Sequence, residues 1–413
     1  MTPSRATTGT ARNIALYPWY QFGRNLLFWQ AIWFLFFQAR LSAAEAIVLY
    51  AIYDIGTTAL EVPSGYLSDR IGRRFTLIVS GIATLIGVTL LSFGDGFAIF
   101  ALAQVFLGAS TAFNSGTDSA LLFESLVSEG RQDETETQEL RAWRFGFIGL
   151  ALSAVLGGMM SYVDAVLPFL ASALAAVGVV AVCLKFGEPP HRPETGPQGS
   201  ELVRLASLRP ALTQPVLSWL FLLSMLMYGF SHLPFVFGQP FILEALNDVG
   251  LAAEAPIVSG ATSAVMMLFS VATSLAALNL RRAIGLPAIL LLAFAMQITL
   301  VGVLALTNSL AAIALLFFRM VPDSLSQPFI LARTQPLLDD DSRATYLSLR
   351  SFCARLLFAG SLYLASLSTP ASGTLPYADL QAVLGWYVAV GGIALAVLAA
   401  LARRIALEAP SKA

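Results

Sequence analysis

The sequence predicts an all-α membrane protein with twelve spanning helices in two six-helix halves. Three observations lead there: an apolar composition, apolar stretches of spanning length along the whole chain, and basic residues concentrated in alternate loops. The 413 residues are 57% hydrophobic and 12% charged, and their mean hydropathy is +0.74. A soluble domain carries roughly 25% charged residues. Half that leaves too little polar surface for a water-facing globule of this size, so most of the outer surface must meet lipid.

A helix crosses a bilayer with about 20 mostly apolar residues. By that rule spans fall near 22–42, 44–65, 75–94, 97–125, 142–161 and 164–186. A second set falls near 215–240, 255–278, 287–307, 309–332, 344–367 and 380–402. The expected organisation is therefore an N-terminal segment 1–21, a six-helix half 22–186, a linker 187–214, a second half 215–403 and a tail 404–413. The linker is the one long polar stretch, rich in Pro and Gly. It holds a short amphipathic stretch near Glu201 to Leu208.

Charge placement supports the count independently. Arg70, Arg73, Arg74, Arg131, Arg141, Arg144, Lys185, Arg192, Arg204 and Arg209 share one side, followed by Arg281, Arg282, Arg333, Arg343, Arg403, Arg404 and Lys412. The opposite loops hold Asp95, Asp164, Asp248, Glu254 and Asp379, with only Arg40 near that face. Under the positive-inside rule both termini are cytoplasmic. No cleavable leader is visible before the first span, and the alanine-rich composition suggests a bacterial cell inner membrane.

Several function classes are excluded or disfavoured. A net charge of -1 argues against a nucleic-acid partner. The two lysines, Lys185 and Lys412, follow no Gly-rich loop, so a phosphate-cradling loop is absent. Two histidines and no metal-ligand cluster leave little equipment for an enzyme, and no cofactor or metal is expected. Cys183 and Cys353 both fall in apolar stretches, with no support for a disulfide.

The most specific motif is Gly65-Tyr66-Leu67-Ser68-Asp69-Arg70-Ile71-Gly72-Arg73-Arg74, between the second and third spans. It resembles the G-x-L-S/A-D-R-x-G-R-R/K signature of the major facilitator superfamily. A weaker echo, Leu280-Arg281-Arg282-Ala283-Ile284-Gly285, follows the eighth span and suggests an internal repeat. The resemblance implies a conformational latch built from Gly65, Asp69, Arg70, Gly72, Arg73 and Arg74, with Glu124 as the acid partner of Arg73 or Arg74. Shorter stretches, Glu61 to Gly65, Ser115 to Leu121 and Arg343 to Ser348, resemble a bacterial efflux-like branch of that superfamily. Two departures weigh against drug/proton antiport. Gln104 stands where the family's fourth-span motif carries arginine, four residues before Gly108. The fifth-span antiporter motif keeps Gly157-Gly158 but has Ser153-Ala154 for its Gly-Pro pair.

A charged side chain at mid-bilayer costs at least about 2.5–3.5 kcal/mol, so such residues face a cavity or a partner. Asp54, Asp118, Arg319, Asp323 and Arg355 fall inside spans, and His232 lies in the seventh. Gln104, Thr111 and Asp118 recur at seven-residue spacing, a polar stripe on one helix face. Trp33, with Trp29 one turn earlier, marks a candidate aromatic wall. Arg319 and Arg355 point to an anionic group on a solute; an Arg319–Asp323 bridge, or a bridge from either arginine to Asp54, is the structural alternative. Asp54, Asp118 and Asp323 are candidate proton carriers. His232 reads as a packing residue, and Arg24 and Arg350 as residues snorkelling to headgroups. The expected function is alternating-access secondary transport of a small acidic or amphipathic metabolite across the lipid bilayer, coupled to protons, with export as the direction that the resemblance implies. Export of hydrophobic cations through Asp54 and a transporter-like sensor are the rivals.

Overall fold

The computed structural model describes residues 5–190, 213–334, 337–338, 340–369 and 375–408, which form helices and turns with no strand among them. The amphipathic stretch expected near 201–208 lies outside the described residues. Ten helical segments among those described are long and apolar enough to cross a membrane. A broken first span and a more polar eleventh complete the set of twelve. Large apolar side chains such as Leu174, Leu275 and Leu306 stand exposed on the bundle surface, where lipid is their natural solvent.

The chain divides into two compact units. The first comprises residues 1–195 with 256–264, and the second 196–255 with 265–413. In the first unit the helices are α1 (Arg5–Arg24), α2 (Trp33–Gln38), α3 (Ala43–Ile71), α4 (Arg73–Phe93), α5 (Phe97–Asn114), α6 (Thr117–Ser128), α7 (Thr135–Val163) and α8 (Leu167–Lys185). Helix α3 packs on α5, α4 on α5 and α8, and α1 on α7. A capping box opens α3: the Glu45 amide donates to the Ser42 hydroxyl, and the Ser42 amide to the Glu45 carboxylate.

The second unit holds α9 (Pro215–Asn247), most of α10 (Ala255–Ile284), α11 (Leu286–Leu306), α12 (Leu310–Ile313), α13 (Val321–Thr334), α14 (Asp340–Leu367) and α15 (Tyr377–Ala402). Helix α11 packs on α15, and α9 on α14. Buried polar groups tie these helices together. Trp219 Nε1 donates to the Leu398 carbonyl at 3.0 Å, and the Tyr346 hydroxyl to the Leu217 carbonyl at 2.7 Å.

Among the described residues three spans are interrupted, and each interruption adjoins a charged residue. The first span runs as α1 to Arg24, unwinds, takes a 3₁₀ turn at Phe28–Ala31 and resumes as α2. Its helix thus starts at Arg5, well ahead of the expected boundary, because Ile14, Tyr17 and Tyr20 bury one face in the bundle. The fourth span breaks at Ser115 and Gly116, just before Asp118; Gly116 takes a left-handed conformation at φ 74°. The tenth passes from α12 through a 3₁₀ stretch at Ala314–Phe318 to Arg319 and then α13. Mid-helix 3₁₀ segments and breaks are common at functional hinges and sites.

Close approach explains one retained glycine. A Cβ on Gly157 would overlap the Phe28 carbonyl oxygen, so α7 can lie against the broken first span only with glycine there.

Candidate functional site

In the second unit, Tyr228, His232 and Phe235 share one face of α9 at helical spacing. The α14 residue Arg355 places its guanidinium 5.5 Å from the Tyr228 ring centre, and its Nη1 donates to the Tyr228 hydroxyl at 3.2 Å. Arg319, at the 3₁₀ junction of the tenth span, lies 5.2 Å over the Phe235 ring. Its Nε donates to Met266 Sδ at 3.1 Å. Aromatic faces stabilise desolvated cations by about 0.5–2 kcal/mol, which helps two arginines persist inside an apolar bundle. Asp323, one turn beyond Arg319, accepts from Gln297 Nε2 at 3.1 Å.

His232 stacks on Tyr228 with ring centres 4.2 Å apart and also faces Phe358. Its Nδ1 lies 2.7 Å from the Tyr228 carbonyl oxygen. A carbonyl only accepts, so Nδ1 carries the proton in that bond.

In the first unit, Asp54 and Gln104 are buried in α3 and α5. Trp33 is buried in an aromatic cluster with Phe34, Phe37 and Tyr50, at ring-centre distances of 5.3, 6.0 and 5.5 Å. Asp118 sits at the centre of a polar network. Its Oδ2 accepts from Gln21 Nε2 at 2.8 Å and Asn114 Nδ2 at 3.0 Å. The Tyr20 hydroxyl in turn donates to Asn114 Oδ1. Arg24, read from the sequence as snorkelling to headgroups, instead lies with Nη1 3.9 Å from Asp118 Oδ2. Sequence reasoning missed it because 94 residues separate the two.

At the Arg-rich end of this unit, Arg73 Nε and Nη2 both donate to Glu124 Oε1 at 3.1 Å, and Nη1 donates to Ser68 Oγ at 2.8 Å. Arg74 turns elsewhere, donating to the Leu184 carbonyl at 2.7 Å. Gly65 and Arg70 are exposed, and the Asp69 side chain lies outside the described residues.

A second acid, not singled out from the sequence, completes this end. Glu188 accepts from the Arg73 and Arg74 amides at 2.6 and 3.0 Å, capping the N-terminus of α4. The second unit repeats the device. Glu408 accepts from the Leu286 amide at 2.7 Å and from Arg281 Nη2 at 3.0 Å, capping α11. Each cap follows a glycine at positive φ, Gly72 at 113° and Gly285 at 86°. Glycine is needed there for φ, and a Cβ on Gly72 would also stand 2.6 Å from the Glu188 carboxyl carbon and push that side chain from its cap. The signal that could have revealed the caps is an acid close behind the last span of each half, shortly before a proline: Glu188-Pro189 and Glu408-Ala409-Pro410.

Comparison with known proteins agrees with this architecture. A family model described as Major Facilitator Superfamily matches residues 13–361. No curated protein sequence matches the chain. Among solved structures, the nucleoside transporter NupG is similar at TM-score 0.75 and 14% identity, with 95% of this chain and 99% of that one covered. A bacterial homolog of the human lysosomal transporter Spinster is similar at 0.70 and 13%, with both chains fully covered. A D-xylose–proton symporter is similar at 0.70 and 12%, over 94% of this chain and 96% of that one. At these identities the likeness establishes the fold alone. With most of its length matched by the family model, and with this helical architecture, the chain is a multi-pass membrane protein that belongs to the Major Facilitator Superfamily.

Proposed function

We propose that the protein is a secondary active transporter that exports an acidic or amphipathic metabolite by alternating access, coupled to protons. The observation that carries the anion preference is the pair of arginines, Arg319 and Arg355, set against one aromatic face of α9. Guanidinium groups grip carboxylate or phosphate with paired hydrogen bonds, and their place inside an apolar bundle makes an anionic solute group a fitting complement. The aromatic surface of Tyr228 and Phe235 suits the amphipathic remainder of such a solute. Proton coupling is in keeping with the carboxylates buried in the spans and with the proton symporter among the similar folds. The arginine-rich loops support cytoplasmic termini in a bacterial inner membrane. On this reading Arg73, Glu124 and the two glutamate caps belong to the latch of the transport cycle.

A binding screen tests the anion preference. Detergent-purified protein is heated with organic anions and lipophilic cations side by side, and the screen is repeated on Arg319→Ala and Asp54→Asn. The expected result is stabilisation by acidic compounds that disappears in Arg319→Ala. Stabilisation only by lipophilic cations, lost in Asp54→Asn, would overturn the anion reading.

A further inference from the structure

Gln297 carries a buried acceptor that the second unit leaves unmet. The residue is 2% exposed in the middle of α11. Its Nε2 donates to Asp323 Oδ1 at 3.1 Å, while among the described residues its Oε1 has no hydrogen-bond partner. Buried polar atoms are normally paired, since an unmet one keeps its full desolvation cost. Oε1 and Nε2 share one carbon, so the bond from Nε2 holds Oε1 beside the Asp323 carboxylate. Either orientation of the amide leaves an acceptor short of a donor at this spot. The Ser231 hydroxyl of α9 faces the same carboxylate and supplies a third polar oxygen.

Such a group of oxygens suits an ammonium, which brings one positive charge and three N–H donors. A metal cation fits less well, because Arg319 acts on the same carboxylate and would repel it. A solute that carries its own anion escapes that repulsion. Arg319 and Asp323 stand four residues apart, with Arg319 already in helical backbone ahead of α13. At that spacing Cβ atoms lie about 5–6 Å apart, a distance suited to opposite charges on neighbouring carbons of one molecule. Phe235 lies under the same guanidinium and offers an apolar surface to the rest of that molecule.

The geometry points to a zwitterionic solute, an amino acid or a short peptide. Asp323 and Gln297 Oε1 receive its ammonium, and Arg319 receives its carboxylate. This rests on the anion reading proposed above and narrows the class of solute.

The test is a thermal-shift titration of the full-length protein in detergent with matched acids. Glutamate is set against glutarate and phenylalanine against 3-phenylpropionate, and each amino acid is also tried in its N-acetyl form. In at least one pair the amino acid is expected to stabilise at a concentration at least about tenfold below that of its des-amino partner. N-acetylation removes the positive charge and is expected to abolish that advantage. Asp323→Asn and Gln297→Met are each expected to shrink it to about threefold or less, with binding of the des-amino acid retained. Des-amino acids that stabilise as well as their amino partners, or an advantage that survives both substitutions, overturn the proposal. The wild-type comparison decides it even if neither variant folds. No stabilisation by any amino acid, beside stabilisation by other organic anions that is lost in Arg319→Ala, removes this inference and leaves the anion reading standing. Stabilisation by lipophilic cations alone removes both.

Discussion

Arg319 and Arg24 are both arginines within the helical bundle, and their surroundings differ. Arg319 stands over Phe235 in the second unit, while Arg24 is set against Asp118 in the first. Arg319→Lys is expected to keep the charge and lose the planar fork, weakening an organic anion by about tenfold or more in a titration, since a charge-assisted hydrogen bond contributes about 1.5–3 kcal/mol. Equal binding by Arg319→Lys would show that a point charge suffices. Gly157 has a packing role. Gly157→Ala is expected to cost about 1–3 kcal/mol, read as a lowered Tm, because the added methyl meets the Phe28 carbonyl. An unchanged Tm would mean that the first span shifts freely. Neither the Arg24–Asp118 pair nor the Gly157 contact is legible in sequence, since each joins positions on different helices with nothing local to mark the partner. Asp118 itself was legible as a charge within an apolar stretch, but the stripe it was expected to share with Thr111 and Gln104 is interrupted by the break at Ser115 and Gly116.

Elements show the same division between local and distant signals. Apolar length identifies most spans, because roughly 20 lipid-compatible residues suffice wherever they occur. The breaks are harder to read. Gly116 marks one, but Asn25 to Leu27 and Ala314 to Phe318 hold neither Gly nor Pro, so tertiary packing rather than propensity unwinds them. The helix leading into the first span begins ahead of the expected boundary for a related reason: Thr10, Asn13, Tyr17 and Gln21 make that stretch look too polar for lipid. In the structure Asn13 bonds Ser125 and the Gly187 carbonyl, Gln21 bonds Asp118, and the face is buried in protein.

The cap on α11 yields a pH prediction. The Leu286 amide, followed by Arg281, holds the Glu408 carboxyl below its usual range. A lowered carboxylate contributes stability above its unfolded value of about 4.3 and loses it as pH falls through the lowered folded value. Glu408→Gln is therefore expected to lower Tm at neutral pH, with the difference from wild type shrinking on acidification below about 4.3. A Tm gap that stays constant or widens in acid would contradict this assignment of the cap.

At the scale of the molecule, composition and loop charge were enough to indicate a multi-pass bundle, because partitioning between lipid and water acts on every span at once. The repeat was only faintly legible through the two glycine loops. In three dimensions it becomes explicit, with Glu188 on α4 and Glu408 on α11 performing the same cap in separate units. The solute is another matter: on the proposed reading it is chosen by a few side chains from α9, α14 and the tenth span, whose convergence is a product of the fold. Flux is the property that joins these scales. The decisive measurement is uptake of a radiolabelled organic anion, selected in the binding screen, into liposomes carrying wild-type protein or Arg319→Ala. The account predicts accumulation well above protein-free vesicles that collapses at least about tenfold in Arg319→Ala. Wild-type protein that binds the anion yet moves it no faster than protein-free vesicles would contradict transport and leave a receptor in its place.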